Sequence, residues 1–355
     1  METELIIRLA TDQDTEGINR LYNAVYKKNR RIDQFNWEFQ SAPAGKSIYV
    51  IALDSGQVVG TQCVIPYKLI TGSGEIILSG KSEDTLIAPS HRGKKIFERM
   101  YALLINTCRE QGIRCIWGFT YAIKPFQKLG FDVPYRAVMG LLVLNPLPAS
   151  RYFISLSENR RALENLKIRI LVFSSWLKGY LKFGAIKQNQ TLSDSAFVLN
   201  DQKHNYIQSP EHFGLLLDKA FLNYRIDSNP YNTNYHYLRL LAPDQSVLAA
   251  MIYTVTKQKV AYILHLELAK QADQKQISYM IRHLRSAPAL KSCSVIRCWG
   301  FKHQVQNRRE VEALSASGFT FINRGISLVW MKLDQGLQRD PQNMVLSRLA
   351  SQGTD

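Results

Sequence analysis

From Glu83 to Met100 the chain places two adjacent carboxylates, Glu83 and Asp84, ahead of a Pro89-Ser90 turn and a run of cations. Thr85, Leu86 and Ile87 are β-branched or aliphatic and predict a strand. Ile96, Met100, Leu103 and Leu104 recur at helical spacing, so a helix with one apolar face follows. Arg92-Gly93-Lys94-Lys95 therefore falls at the first turn of that helix. The first backbone N–H groups of a helix have no partner inside it, and its dipole draws anions there, the more so beside Arg and Lys. The run predicts a strand-loop-helix cradle for a pyrophosphate. A solvated basic turn would carry the same residues.

The elements that must hold this stretch come from a chain of 355 residues, enough for two domains with separate cores. The net charge of +16 favours acidic partners, such as phosphorylated cofactors, acyl carriers, nucleic acid or anionic headgroups. Five cysteines, Cys63, Cys108, Cys115, Cys293 and Cys298, lack any C-x-x-C spacing and read as reduced thiols of a cytoplasmic protein. The seven histidines, His204 among them, show no metal-binding pair, so no metal is expected. Met1-Glu2-Thr3-Glu4 begins no signal peptide. The segment from Leu163 to Phe183 is interrupted by Lys167, Arg169, Lys178 and Lys182, and does not read as a membrane span.

In order, the pattern gives a strand at Leu5 to Leu9 and a helix through Ile18, Leu21, Tyr22 and Val25. A hairpin turns at Asp54-Ser55-Gly56, and Gly72-Ser73-Gly74 marks a loop or a second hairpin. After the cradle come a strand at Cys115 to Phe119 and a short helix that Gly130 stops. Val138 to Leu144 is a further strand. Leu163, Leu166, Ile170, Leu171, Trp176, Leu177 and Leu181 then suggest amphipathic helices with a basic face. They read as an interdomain connector packed through its apolar side, with a membrane-surface helix as the alternative, so that peripheral membrane contact falls on 160–187.

The first module recurs. Trp37 and Pro43 are echoed by Tyr224 and Pro230, the latter pair 187 residues apart, and Gly130-Phe131 by Gly318-Phe319 at 188. The strands Tyr235 to Leu241 and Val247 to Val255 repeat the first hairpin, and Ile296-Arg297-Cys298-Trp299-Gly300-Phe301 echoes Ile113 to Phe119. Such ordered self-similarity predicts a tandem α/β repeat. The second copy, over Ile263 to Arg285, has no glycine in place of the cradle, so it is expected to shape a substrate cleft or support the first. The expected divisions are 1–148, a helical basic connector at 149–199, a second, degenerate domain at 200–334, and a polar, frayed tail at 335–355.

Strand, helix, hairpin, the Pro89-Ser90-His91-Arg92-Gly93-Lys94 strand-to-helix passage and the Lys128-Leu129-Gly130-Phe131 ending together resemble the GCN5-related N-acetyltransferase (GNAT) superfamily. The fold class this implies is α/β, of the α+β mixed-sheet kind, in two tandem GNAT-like modules. The family loop is Arg/Gln-x-x-Gly-x-Gly/Ala; Arg92 fits it, while Lys95 and Phe97 stand where small residues are usual. The resemblance implies acetyl-CoA or another acyl-CoA as co-substrate, held by Leu86, Ile87, Arg92, Gly93, Lys94, Lys95, Ile96 and Phe97.

The resemblance further implies attack of an amine or hydroxyl on a thioester, with Glu83 or Asp84 as base and a tyrosine as thiolate-side acid. That tyrosine is replaced by Phe126, and Tyr121 is the nearest substitute by sequence. A polar strand start, for the carboxylates, and a structural tyrosine are the plain alternatives. The expected acceptor is an amine, such as an amino sugar or nucleotide sugar of cell-surface polysaccharide synthesis. Rival readings are an aminoacyl-tRNA-dependent transferase of the Fem-like, peptidoglycan-bridge type, for which nucleic acid is a partner, and an inactive binding module.

Overall fold

A computed structural model describes residues 5–156, 161–182, 191–193, 207, 209–303, 305–323 and 325–351. The strands of the first half are β1 (Ile6–Leu9), β2 (Ile48–Asp54), β3 (Gln57–Thr71), β4 (Ile76–Ile87), β5 (Cys115–Thr120), β6 (Asp132–Arg136) and β7 (Val138–Val143). Those of the second are β8 (Thr191–Ser193), β9 (Phe213–Leu215), β10 (Tyr235–Leu241), β11 (Val247–Val255), β12 (Val260–Leu268), β13 (Val295–Gly300), β14 (Thr320–Ile322) and β15 (Ser327–Lys332). The helices are α1 (Thr15–Tyr26), α2 (Ile32–Phe39), α3 (Ile96–Glu110), α4 (Ile123–Lys128) and α5 (Pro146–Ser155), then α6 (Ala162–Leu181), α7 (Lys219–Leu222), α8 (Gln274–Ser286) and α9 (Val305–Ala316).

The chain forms two compact units. The first takes residues 1–135, 209–232 and 327–344, and the second 136–208, 233–326 and 345–355. These differ from the linear bounds 1–148 and 200–334, because two strands join the sheet of the other half. β15 pairs antiparallel with β5, Trp330 opposite Trp117, while β7 pairs with β13 and β14 in the second sheet.

The first sheet runs β1-β2-β3-β4-β5-β15-β6, with β9 on the end of β3. The β2–β3 hairpin turns at Ser55 and Gly56, both at positive φ, as Asp54-Ser55-Gly56 predicts. The second hairpin forms at Gly72, Ser73 and Gly74. The apolar face of α3 buries Ile96, Met100 and Leu104 against Val50, Val64 and Ile116. At the end of α4, Gly130 takes φ 87° while Phe131 N–H returns to the Phe126 carbonyl at 3.1 Å, a helix stop of the expected kind.

The second sheet runs β14-β7-β13-β12-β11-β10-β8 over a core of its own that includes Met251, Met280 and Leu284. Gly318 repeats the helix stop at φ 98°, with Phe319 N–H on the Leu314 carbonyl at 3.0 Å.

Two sequence expectations need correction. Over its described residues, 335–351, the tail is not a frayed polar end: Leu337, Met344, Val345, Leu346, Leu349 and Ala350 are buried, since its scattered apolar residues outweigh the Asp and Gln between them. And α6 packs through Val172, Ser175 and Gly179, leaving Leu163, Leu166, Ile170, Leu177 and Leu181 exposed. The small side chains permit close approach: a Cβ on Gly318 would come within 2.9 Å of the Gly179 Cα. Parts of the expected connector, 157–160, 183–190 and 194–199, lie outside the described residues, as does His204.

Candidate active site

β4 and β5 are parallel neighbours that pair at two positions, Gly80 with Ile116 and Lys81 with Trp117. β4 runs on to Ile87 and β5 to Thr120, so beyond the paired positions the strands open a wedge. The β3–β4 register also shifts between Thr61 and Cys63, and opposite that shift Asp84 adopts φ 48°. A left-handed conformation costs an L-residue about 1–2 kcal/mol, least for Asp and Asn. The cost is offset locally. Thr61 Oγ1 donates to the Asp84 carbonyl at 2.9 Å, and the carboxylate accepts Arg30 Nη2 at 3.2 Å and the Tyr49 hydroxyl.

Arg30 organises this corner from the α1–α2 connection. Its side chain is 2 % exposed, lies 3.7 Å over the Tyr22 ring, and donates to Glu38 at 3.1 Å and to Asn19 at 2.7 Å. Burial opposes its charge, yet Asp84, Tyr49 and Glu38 outweigh that and hold its pKa above the ordinary value. Desolvation pushes Glu38 up in spite of Arg30, and the Tyr231 hydroxyl donates to its carboxylate.

The neighbouring carboxylate is placed differently. Glu83 sits opposite Cys63 on the ladder, keeps 28 % of its side chain exposed, and touches Lys81 Nζ two residues back on the same face of the strand. Lys81 is wholly buried; desolvation, reinforced by the Arg225 charge, lowers its pKa to about 7. Of the two acids named from sequence, Asp84 is locked in a buried ion pair and Glu83 reaches solvent beside a lysine poised near neutrality.

At the open end of the wedge, Pro89–His91 form a single tight turn. His91 Nε2 lies 2.8 Å from Asp54 Oδ2, which ties the turn to the β2–β3 hairpin. Arg92 Nε donates to the Ile87 carbonyl at 3.4 Å. Gly93 takes φ 81° and Lys95 φ 56°, so Lys95 holds a left-handed conformation at the position where the family has glycine. No side chain caps α3, and Arg99 N–H returns to the Lys95 carbonyl at 3.2 Å, leaving the earlier amides of the turn to a ligand. Lys94, Lys95 and Arg92 are all exposed around them. These features fit the pyrophosphate of a coenzyme A thioester.

Phe97 turns inward, its ring 4.8 Å from Tyr101 and 5.6 Å from Phe126, in a cluster that Phe131 completes. Phe126 is 5 % exposed. Tyr121 lies at the end of β5 and is 71 % exposed, directed to solvent. The Tyr101 hydroxyl is wholly buried and lies 2.7 Å from Ser82 Oγ on β4. Among the described residues no group of His, Cys, Asp and Glu is arranged to hold a metal ion.

The second unit repeats the wedge and closes it. β12 and β13 pair from Val260–Val295 to Tyr262–Arg297, and the β11–β12 register shifts between Ile252 and Tyr253. Here α8 is capped by its own Asp273, which accepts Gln276 N–H at 2.7 Å. The parting strands receive the C-terminal segment. Ser347 Oγ donates to the Leu264 carbonyl at 3.1 Å and lies 3.1 Å from His265 Nδ1, and the Arg348 guanidinium covers the Tyr262 ring at 4.2 Å. About 30 Å³ of cavity remains, room for one water.

Residues 6–133 match the family model of the acetyltransferase (GNAT) domain. The first module is a GNAT domain. No curated protein matches the chain by sequence. Among solved structures, a probable N-acyltransferase of Enterococcus faecalis V583 is similar at TM-score 0.63 and 8 % identity, over 94 % of this chain and 73 % of that one. A tandem GNAT protein from the clavulanic acid biosynthesis pathway gives 0.58 at 9 % identity, over 93 % and 99 %. The Saccharomyces cerevisiae N-myristoyltransferase, solved with bound myristoyl-CoA, gives 0.55 at 11 %, over 92 % and 82 %. The fold is thus a two-module GNAT fold, and the chain is an acyltransferase of the acyl-CoA-dependent type.

Sequence reasoning passed over Arg30, Glu38, Tyr49 and Lys81. Lys81 left a trace, a lone charge in the run Ile76 to Ser82. Arg30 was hidden in the basic run from Lys27 to Arg31.

Proposed function

We propose that the first module transfers an acyl group, acetyl or longer, from coenzyme A to a primary amine, with an amino sugar as the acceptor. The observation that carries this reading is the β4–β5 wedge opening toward an uncapped, cation-lined start of α3. The thioester arm would lie along Leu86 and Ile87, with the pyrophosphate on the α3 amides between Arg92, Lys94 and Lys95. The amino-sugar acceptor rests on the sequence resemblance alone.

Glu83, assisted by Lys81, is the proton acceptor in this reading. An incoming ammonium gives its proton to the Glu83 carboxylate, or to the neutral Lys81 amine behind it. The freed nitrogen bonds to the thioester carbonyl carbon, its second proton passes to solvent, and the C–S bond breaks. The thiolate leaves with the electron pair and takes up a proton from solvent, which a thiol of pKa about 8.5 permits without a dedicated acid. Asp84 contributes by holding the bulge through Arg30. Positioning supplies most of the rate.

Calorimetry with coenzyme A, and thiol release from acetyl-CoA with glucosamine-type acceptors, test the reading. Binding that weakens at least tenfold in Arg92→Glu is expected. No heat at millimolar coenzyme A would refute it, and salt-dependent tRNA binding in its place would favour aminoacyl transfer.

A further inference from the structure

The outward face of α6 carries Leu163, Leu166, Ile170, Phe173, Leu177 and Leu181, spaced three or four residues apart and 45–71 % exposed. At 100° per residue these fall on one stripe about 30 Å long, while Val172, Ser175 and Gly179 hold the opposite side to the second unit. Lys178 Nζ fastens the helix further, donating to the Phe319 carbonyl at 2.7 Å. The stripe is thus held in place and turned to solvent.

Its borders are basic. Lys167 and Arg169 lie on the two sides of the stripe, with Arg161 and Lys182 at the ends, all exposed, and Glu164 is the one acid of the helix. Trp176 and Tyr180 stack at 5.8 Å along one border, Tyr180 being 64 % exposed. Aromatic rings of that kind suit the level where headgroups meet acyl chains. No helix among the described residues is long and apolar enough to cross a membrane.

We propose that α6 lies in the surface of an anionic phospholipid bilayer, its stripe in the acyl-chain boundary and Lys167, Arg169 and Lys182 on the headgroups. A second copy of the chain is the poorer occupant, because Lys167 and Arg169 would flank the seam on both helices without acids to answer them. The proposal stands apart from the catalytic reading, since its residues belong to no part of the acyl-CoA site.

Flotation of the full chain with vesicles tests it, comparing phosphatidylcholine alone with 30 % phosphatidylglycerol. Binding to the anionic vesicles at least tenfold above the neutral ones is expected. It should fall at least tenfold in Ile170→Asp and in Lys167→Glu with Arg169→Glu, with circular dichroism and coenzyme A affinity unchanged. Should a variant lose its fold, Leu166→Gln gives the same reading with a smaller change. Equal binding to both vesicles, or variants that float like the native chain, would overturn the proposal. So would a sedimentation dimer that Ile170→Asp dissociates.

Discussion

The Trp37 indole donates to the main-chain carbonyl of Tyr224 at 2.7 Å, and the two residues stand 187 positions apart in equivalent places of the sequence repeat. The Tyr224 hydroxyl returns to the Glu38 carbonyl at 3.1 Å, and the rings lie 5.4 Å apart. The repeat segments therefore meet inside the first unit. Arg225 follows Tyr224, covers the Trp37 ring at 4.9 Å, and its charge helps lower Lys81. The second half of the chain thus supplies part of the electrostatics of the proposed site.

Trp37→Phe keeps a ring in this contact and removes the donor. The buried Tyr224 carbonyl then loses the indole N–H, which costs about 1–3 kcal/mol. Urea unfolding should show that loss; a change below half a kcal/mol would mean that water replaces the indole.

Glu83 and Asp84 should separate by phenotype. Glu83 touches Lys81 and reaches solvent, so Glu83→Gln should lower kcat by roughly 10²–10⁴ with stability nearly native. Arg30→Met leaves the Asp84 and Glu38 carboxylates buried without their cation, at about 3–5 kcal/mol. Asp84→Asn should destabilise as well, by less, because Arg30 keeps Glu38. If Asp84→Asn were as stable as the native chain and lost only turnover, Asp84 would be the base.

What the sequence disclosed was local. Ile96, Met100 and Leu104 mark the buried face of α3, Ser55-Gly56 marks the hairpin, and Gly130 stops α4 at positive φ; each depends on neighbours within a few residues. The exchange of β7 and β15 was not legible, because Val138–Val143 and Ser327–Lys332 read as ordinary apolar strands whichever sheet accepts them. The α6 pattern showed an apolar side, but burial went to the small residues, where backbone can approach backbone. Arg30 and Asp84 are 54 positions apart, and nothing near either announces the other.

Lys95→Gly should stabilise the first unit by about 1 kcal/mol, since glycine adopts φ 56° without strain, while Lys95→Ala should not. Coenzyme A affinity in both should fall equally if Lys95 contributes charge alone. Thermal unfolding and calorimetry on the pair separate the two contributions.

One equivalent of coenzyme A per chain is expected. In the second unit Asp273 occupies the helix start and Ser347 and Arg348 fill the wedge. Asp273→Ala should cost about 1 kcal/mol as a lost N-cap and leave the stoichiometry at one. A second equivalent in calorimetry would show that the C-terminal segment yields to the ligand.

Lys81 makes the pH dependence specific. Its folded pKa is about 7, below the ordinary lysine value of 10.5, because burial and Arg225 disfavour the ammonium. Below pH 7 both folded and unfolded states hold the proton, and the full penalty is present. Between about 7 and 10.5 the unfolded chain binds more protons, so stability rises with pH across that window. Lys81→Met should abolish that rise, read as the difference in urea midpoint between pH 6.5 and 9. The same titration should give the rate an ascending limb near pH 7. Arg225→Met removes a repelling cation, raises the Lys81 pKa, and should carry the limb toward alkaline pH. A limb that stays in place in Arg225→Met, or a stability rise that survives Lys81→Met, would assign the titration to another group.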